Sequence, residues 1–264
     1  MRALGVAVSI LLLTAPIGCQ SLFGARALSD HEVRLGNTHR TRAALKLRSG
    51  ELELAIREYR RAIEANPYDA EAHFGLGEAL RQKGLLPEAE TELRHAVRLD
   101  PAHHDARLNL SGLYLQREEW DDAVSVTTAL IEDPTFLNPA RALVNRAWAH
   151  YGAGDLAAAE SDLRDALTID SSLFQAHLNL GIVLYDRGET ADAMQSFERV
   201  LEILGRYGAQ APGAAEAEAR FRLAQARVKL GQRDQAIAQL RKAAERGAGG
   251  AWGKRARDYL AILQ

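Results

Sequence analysis

The feature that most constrains the fold is a period of 34 residues that runs through most of the chain. The segment 52–56 (LELAI) aligns at this spacing with the segment 86–90 (LPEAE). Residues of the same type at this spacing include Gly50 with Gly84, Pro67 with Pro101, and Gly154 with Gly188. Self-similarity at a period of this length is typical of architectures that stack one supersecondary unit many times.

The residues within each period favour helices. The chain of 264 residues is 47% hydrophobic and 26% charged, has only seven prolines, and uses Ala, Leu, Arg and Glu heavily. These are strong helix formers, and no window alternates apolar and polar residues as a half-buried strand would. The predicted fold class is therefore all-α.

Small residues recur at two positions of the period. With the turn glycine (Gly50 in the first unit) numbered as position 15, positions 8 and 20 hold only small residues in six units. Position 8 is Ala43, Gly77, Ser111, Ala147, Gly181 and Ala224, and position 20 is Ala55, Ala89, Ala123, Ala159, Ala193 and Ala236. We expect these positions to lie where the first helix (helix A) and the second helix (helix B) of a unit cross, because larger side chains would push the axes apart.

Larger residues are expected to fill the gaps between units from position 24. These residues are Tyr59, Leu93, Leu163, Phe197 and Leu240, with the polar Thr127 as the exception. A glycine at position 15 permits the positive φ of a helix C-terminus, and a proline near position 32 ends helix B.

This pattern resembles the tetratricopeptide repeat, a helix-turn-helix unit that stacks into a solenoid. The resemblance implies a right-handed α-α superhelix of six repeats over residues 36–250. Residues 251–264 have helical spacing and are predicted to form the capping helix that covers the last unit. Extra residues are predicted to form loops at 133–139, where Asn138-Pro139 is expected to cap and start the next helix, and at 205–213.

The N-terminus has the order of a secretory signal, with Arg2 followed by an apolar run and then small residues. The run is too short to span a bilayer, which takes about 20 apolar residues. The segment Pro16-Ile17-Gly18-Cys19 resembles the lipobox of bacterial lipoproteins, although the family usually has Leu at the first position. The resemblance implies a signal peptide over residues 1–18, lipidation of Cys19, and a lipidated N-terminus and tether over residues 19–35.

Two further observations bear on this segment. Cys19 is the only cysteine, so it has no partner for an internal disulfide. Gln20 follows it, and by resemblance to Gram-negative lipoproteins a residue other than Asp indicates sorting to the outer membrane. The alternative is an ordinary secretory signal, cut after Ala15 or Ala25, with an incidental thiol.

Signatures of enzymes and metal sites are missing from the sequence. There is no P-loop, no Gly-x-Ser-x-Gly elbow, no zinc-protease motif and no CxxC pair. His73, His150 and His177 occupy positions 4 and 11, where core packing is expected, and the His103-His104 pair is expected in a solvated loop at a helix start. We therefore predict no catalytic residue, no metal site and no cofactor.

Binding of a protein partner is better supported. In the tetratricopeptide family the A helices line a concave groove, and positions 2, 5, 6, 9, 12 and 13 point into it. Position 6 is Asn109, Asn145 and Asn179 in three successive units. An asparagine ladder of this kind can hold the backbone of an extended peptide, since each amide offers a donor and an acceptor. The alternative is that Asn is merely tolerated on a polar helix face.

Aromatic residues lie near this predicted ladder, at Trp148, Tyr151 and Tyr185. Such residues often supply most of the binding energy of an interface. The charge is uneven as well. Residues 62–213 hold 12 basic against 25 acidic residues, whereas residues 214–264 hold 11 basic against 5 acidic residues. The acidic middle would steer basic partners and argues against a nucleic-acid partner, and the basic end could face acidic lipids or a neighbouring subunit. The alternative, which is the default, is that both regions are solvated helix faces.

Six such units behind a lipobox are similar to the outer-membrane pilotin lipoproteins of type IV pili, and the segment 138–147 is similar to one that this family carries. The resemblance implies a non-catalytic scaffold, lipid-anchored at the periplasmic face of the outer membrane. Such a scaffold would bind a secretin subunit, not a small-molecule substrate, and would promote the assembly or localisation of the secretin. The alternatives are an adaptor for cell-wall enzymes and a Tad-type pilus assembly lipoprotein, with an enzyme as a remote third class.

Overall fold

The computed structural model describes residues 27–263, which form thirteen α-helices and one short 3-10 helix, with no strand among them. The α-helices are α1 (Asp30–Arg48), α2 (Leu52–Ala65), α3 (Ala70–Lys83), α4 (Leu86–Leu99), α5 (His104–Gln116), α6 (Trp120–Ile131), α7 (Ala140–Gly152), α8 (Leu156–Ile169), α9 (Phe174–Asp186), α10 (Thr190–Gly205), α11 (Gly213–Lys229), α12 (Arg233–Arg246) and α13 (Ala251–Leu263). The predicted all-α superhelical fold is confirmed.

The helices pack as six consecutive pairs, from α1 with α2 to α11 with α12, and α13 packs against α11 and α12. Each odd-numbered helix, the helix A of its unit, also contacts the next odd-numbered helix. Within the described residues, successive even-numbered helices do not contact each other to a comparable extent. Neighbouring elements approach most closely on the inside of a curved stack, so the A helices form the concave face.

The crossings within units require small residues, as the sequence predicts. A Cβ atom at Gly77 would lie 2.8 Å from Cγ of Leu93 and 3.3 Å from the carbonyl oxygen of Ala89. A Cβ atom at Gly181 would lie 2.5 Å from the ring of Phe197. Position 24 therefore packs on position 8 of its own unit, where close packing leaves no room for one more methyl group.

Position 24 also contacts the next unit. The ring of Tyr59 in the first unit lies so close to Gly75 in the second that a Cβ atom there would be 2.3 Å from it. Thr127 is fully buried, and its hydroxyl donates to the Ala123 carbonyl at 2.6 Å. The hydroxyl of Thr127, the one polar residue at position 24, is thus hydrogen-bonded within its own helix.

The turn within each unit has the same backbone conformation. Position 15 has positive φ in all six units, at Gly50 (76°), Gly84 (84°), Glu118 (60°), Gly154 (88°), Gly188 (90°) and Gly231 (76°). Glu118 is the one residue other than glycine with positive φ in the described part of the chain. The next amide, that of Glu119, donates to the Tyr114 carbonyl at 2.9 Å, a bond typical of helix ends in the left-handed conformation.

Ion pairs join successive units next to these turns. Arg117 at position 14 pairs with Glu90 at position 21 of the preceding unit, at 2.5 Å. Arg187 makes the equivalent pair with Glu160, whose side chain is buried. These pairs link each of these units to the preceding one.

Helix starts differ from the sequence prediction in two places. Helix α1 begins at Asp30, within the stretch predicted as a tether, because Ser29 and Glu32 form a capping box. The Ser29 amide donates to the Glu32 carboxylate at 2.8 Å. The prediction that Asn138 caps α7 is wrong, since Pro139 precedes the helix and no side chain caps it.

The second predicted loop, at 205–213, is partly helical. Helix α10 extends to Gly205, a 3-10 helix spans Gly208–Gln210, and α11 already begins at Gly213. The insertion therefore lengthens the helices on both sides of the connection.

Two histidines make polar contacts that the sequence analysis did not predict. His73 is buried, and its two ring nitrogens lie 2.6 Å from the Glu92 carboxylate and 3.2 Å from the Pro67 carbonyl. The prediction of a solvated loop at His103 is wrong, because its ring is buried and Nδ1 accepts from the amide of Ala106 as a helix cap.

The predicted signal peptide (residues 1–18) and the lipidation site at Cys19 lie outside the described residues. No helix in residues 27–263 combines the length and the apolar character that crossing a lipid bilayer requires.

Candidate protein-binding site

The three asparagines of the predicted ladder all lie half-buried on A helices, but they differ in their partners. The Asn109 amide donates to the Asp105 carbonyl of its own helix at 3.0 Å. The Asn145 amide donates to Oγ of Ser111 in the preceding unit at 2.8 Å. Asn179 has no hydrogen-bond partner among the described residues. Two of the three amides thus already use a donor within the protein.

A shallow cavity of about 190 Å³ lies beside Asn145. Its other lining residues are Arg141, Val144, Leu173 and Gln175. This cavity belongs to the concave side of the fourth and fifth units, where one carbonyl oxygen of Asn145 remains available to a partner.

The predicted aromatic residues lie on the same face. The rings of Trp148 and Tyr151, in α7, stack with centroids 4.8 Å apart and an angle of 22° between their planes. The Tyr151 hydroxyl donates to the Asp186 carboxylate at 2.7 Å. Burial and this carboxylate raise the pKa of Tyr151 to about 12, so the hydroxyl remains protonated. Tyr185, the neighbour of Asp186 in α9, is half-buried.

Further aromatic residues that the sequence analysis assigned no binding role extend this surface onto α11 and α13. The ring of Phe221 lies 5.5 Å from that of Trp252 and 6.0 Å from that of Tyr259, centroid to centroid. We use the name C-terminal aromatic strip for the surface formed by six residues, which are Trp148, Tyr151, Tyr185, Phe221, Trp252 and Tyr259.

The repeat period could have revealed this extension. Helix α13 begins at Ala251, which is 34 residues after Ala217, position 1 of the sixth unit. Trp252 and Tyr259 therefore occupy positions 2 and 9 of a seventh helix A. Helix α13 therefore presents groove positions in addition to covering the last unit.

Cations accompany the strip. The guanidinium carbons of Arg222 and Arg255 lie 5.2 Å and 4.5 Å from the centroid of the Trp252 indole. The Lys229 ammonium lies 4.6 Å from the centroid of the Tyr185 ring. Cations at these distances are attracted to the electron-rich ring faces.

Two carboxylates share this region. Glu218 lies 3.8 Å from Arg222, and burial raises its pKa, an effect that Arg222 and Arg255 oppose. Asp186 accepts the Tyr151 hydroxyl. In the described part of the chain Lys229 and Arg255 have no carboxylate within ion-pair distance.

The N-terminal end of the concave face has a different character. A cavity of about 490 Å³ there is lined by Arg40, Thr41, Ala44, Leu47, Arg48, Tyr59, Glu71, Phe74, Gly75 and Glu78. Burial and the charges of Glu78 and Glu71 raise the pKa of Tyr59 to about 12. This end mixes acidic and basic groups, whereas the aromatic strip has an excess of cations.

These surfaces offer stacking, hydrogen bonding and charge, which suit recognition of a polypeptide. No group of three or more His, Cys, Asp or Glu side chains within residues 27–263 is arranged to hold a metal ion.

The repeat geometry defines a solenoid of paired helices, and the comparison with known families agrees. The tetratricopeptide repeat profiles match residues 40–104, 86–135, 113–174, 144–215 and 217–246. The chain belongs to the tetratricopeptide repeat family, whose stacked units present extended concave surfaces to protein partners and are typically not catalytic.

Among solved structures, PilF of Pseudomonas aeruginosa superposes with a TM-score of 0.69 at 17% identity, covering 87% of this chain and 99% of PilF. PilW, a widely conserved type IV pilus biogenesis factor, superposes with a TM-score of 0.73 at 16% identity, covering 83% of this chain and 96% of PilW. At these identities the likeness establishes a shared fold.

In sequence, the chain is similar to cellulose synthase 2 operon protein C of Komagataeibacter xylinus, with 35% identity over 161 residues. The match covers 60% of this chain and 12% of that protein. The chain thus corresponds to a small part of the curated relatives that it matches.

Proposed function

We propose that this protein is a lipid-anchored, non-catalytic scaffold that acts as a pilotin, promoting the assembly or localisation of the type IV pilus secretin in the outer membrane. The observation that carries the proposal is the shared fold with PilF and PilW, which spans 99% and 96% of those chains. The superpositions thus include nearly all of each of these two proteins and most of this chain.

The lipobox-like sequence before Cys19 supports the membrane part of the proposal. Several acyl chains on one cysteine would anchor the protein firmly, since each buried methylene contributes about 0.8 kcal/mol. Because α1 begins at Asp30, the first repeat would lie close to the membrane surface.

The concave face supports the scaffold part of the proposal. A secretin segment would bind there in an extended form, in contact with the C-terminal aromatic strip. Trp148 and Tyr151 offer a stacked, half-buried aromatic pair, and large rigid side chains of this kind often dominate binding energy.

The test is deletion of the gene, followed by an assay for heat-stable secretin multimers and for twitching motility. We expect the multimers to decrease or to collect in the inner membrane, and restoration of the gene to recover them. Normal multimers with normal motility would refute the pilotin function. Co-purification of peptidoglycan hydrolases in place of the secretin would favour the alternative of a cell-wall adaptor.

The membrane part is tested separately with Cys19→Ser. We expect the wild-type protein to fractionate with the outer membrane and the variant to appear in the periplasmic extract. If the wild-type protein is also free in that extract with an unmodified thiol, the lipid anchor is wrong, whatever the secretin assay shows.

A further inference from the structure

We propose that the C-terminal end of the concave face binds an acidic segment of the partner protein, and that α13 forms part of this binding site in addition to covering the last repeat. The proposal rests on the proposed function only in that a protein segment occupies the concave face. It names the charge of that segment and the place where it binds.

The first argument is a pair of cations over one aromatic ring, of which Arg222 lies 3.8 Å from Glu218 while Arg255 has no carboxylate within ion-pair distance in the described residues. Arg222 and Arg255 both lie over the indole of Trp252, so the two guanidinium groups are no further apart than the sum of 5.2 Å and 4.5 Å. Like charges at this separation repel each other when they are partly removed from water. A carboxylate of the bound segment would reduce this repulsion and could accept charge-assisted hydrogen bonds from Arg255, the exposed member of the pair.

The second argument concerns the other end of the strip. Lys229 is exposed and lies over Tyr185 without a carboxylate partner in the described residues. Asp186, which follows Tyr185 in the sequence, already accepts the Tyr151 hydroxyl. The ammonium group is therefore available to a second carboxylate of the bound segment.

The third argument is the distribution of charge along the chain. The basic excess of residues 214–264 contrasts with the acidic excess of residues 62–213. An acidic segment would be repelled from the middle of the protein and attracted to this end, which sets its position along the groove. Phe221, Trp252 and Tyr259 would contact the apolar side chains that alternate with its carboxylates.

The test is titration calorimetry on the purified full chain with two capped synthetic peptides. In one peptide aspartate alternates with phenylalanine and leucine, and in the other lysine replaces each aspartate. We expect the acidic peptide to bind at least about tenfold more tightly, and its affinity to fall as salt is added. Equal affinity for the two peptides would overturn the proposal.

Variants locate the site. We expect Arg255→Gln and Lys229→Gln each to weaken binding of the acidic peptide about fivefold to tenfold, and Arg255→Lys to retain most of it. Arg257→Gln is the matched control, because it removes the same charge from an exposed position of the same helix. If Arg257→Gln weakens binding as much as Arg255→Gln does, the cations of the strip have no special role and the proposal fails.

Lipid is tested with vesicles of phosphatidylcholine containing a minor fraction of phosphatidylglycerol. If the vesicles bind through Arg255 and Lys229 while the acidic peptide does not bind, the surface recognises lipid and the proposal is overturned. If the acidic peptide fails to bind but gene deletion still abolishes secretin multimers, the inference fails and the pilotin function stands. If the peptide binds at the strip and the multimers persist on deletion, the binding site stands and the pilotin function fails.

Discussion

The side-chain amide of Asn145 donates a hydrogen bond of 2.8 Å to Oγ of Ser111, and this bond joins helix A of the fourth unit to helix A of the third. Ser111 is completely buried, and its hydroxyl donates in turn to the Leu108 carbonyl at 2.7 Å. Asn145 therefore holds two units together on the concave face. Asn179 occupies the same position of the next unit without such a bond.

This difference predicts unequal effects of the same substitution. Asn145→Ala should lower the free energy of unfolding by about 1 kcal/mol relative to Asn179→Ala, since one hydrogen bond of a buried hydroxyl is lost. Both variants gain the same helix propensity from alanine, so their difference isolates the bond. Urea denaturation followed by circular dichroism measures it. Equal midpoints and slopes for the two variants would show that the bond adds nothing to stability.

The peptide-binding role of the ladder makes a separate prediction. If Asn179 contacts the backbone of a bound segment, Asn179→Ala should weaken partner binding by about 1 kcal/mol without loss of stability. The triple variant of Asn109, Asn145 and Asn179 should weaken it further. Unchanged binding by the folded triple variant would leave these residues with structural roles alone.

His73 predicts that stability depends on pH. Burial by itself would lower the pKa of His73, but the Glu92 carboxylate and the Pro67 carbonyl raise it above its ordinary value. A pKa that is raised in the folded state stabilises the protein when the histidine is protonated. The stabilisation is complete below about pH 6.5, the pKa of an unfolded histidine, and it is lost as the pH rises through the pKa of the folded state. The destabilisation caused by His73→Gln should therefore be larger at about pH 5.5 than at about pH 8.5.

His177 is the matched control for this pH dependence. Burial lowers its pKa, an effect that a hydrogen bond to the Ser171 carbonyl opposes and the charge of Arg199 reinforces. A lowered folded value gives stability above about pH 6.5 that is lost as the pH falls. His177→Gln should thus show the opposite trend in thermal denaturation across pH. The same trend for both variants would contradict the assignment.

Glu118 predicts a stabilising substitution. Its φ of 60° is unfavourable for a residue with a Cβ atom, whereas the other five units have glycine at this position. Glu118→Gly should raise the free energy of unfolding by about 0.5–1 kcal/mol, after the greater flexibility of the unfolded glycine chain is deducted. The converse variant, Gly188→Glu, should destabilise by about 1 kcal/mol. A lower unfolding midpoint for Glu118→Gly would disprove the strain.

Gly181 predicts a destabilising substitution that a second one relieves. A Cβ atom at Gly181 would lie 2.5 Å from the buried ring of Phe197, so Gly181→Ala should cost about 1–3 kcal/mol. Ala147 with Leu163 is a pair that already packs at the equivalent crossing. The double variant Gly181→Ala with Phe197→Leu should therefore lose less free energy of unfolding than the two single variants lose in sum.

The control for this pair is Gly112→Ala in α5. Apart from its chain neighbours and the backbone of its own helix, a Cβ atom at Gly112 would have no atom within 4 Å, so alanine should stabilise the helix by up to about 1 kcal/mol. Additive effects of Gly181→Ala and Phe197→Leu in a double-mutant cycle would show that the two side chains do not compete for space.

Much of the fold could be predicted because the repeat presents the same local requirement in every unit. Small residues at positions 8 and 20 and glycine at position 15 each satisfy a geometric condition within about one turn of a helix crossing or a helix end. The boundary at Asp30 was missed because it depends on the capping box of Ser29 and Glu32, which lies outside the period. The burial of His103 was missed because it depends on packing against the neighbouring unit, where its ring contacts Phe74.

The sequence by itself determined that this chain forms paired helices in six units, because period, helix propensity and small crossing residues are properties of single units and their copies. Only the tertiary structure decided that the Asn145 amide is already bonded to Ser111 and that the guanidinium of Arg222 lies over the indole of Trp252. Both outcomes depend on residues one whole unit apart, which the curvature of the stack brings within contact distance. A pattern identified within one unit does not indicate which side chains of neighbouring units are in contact.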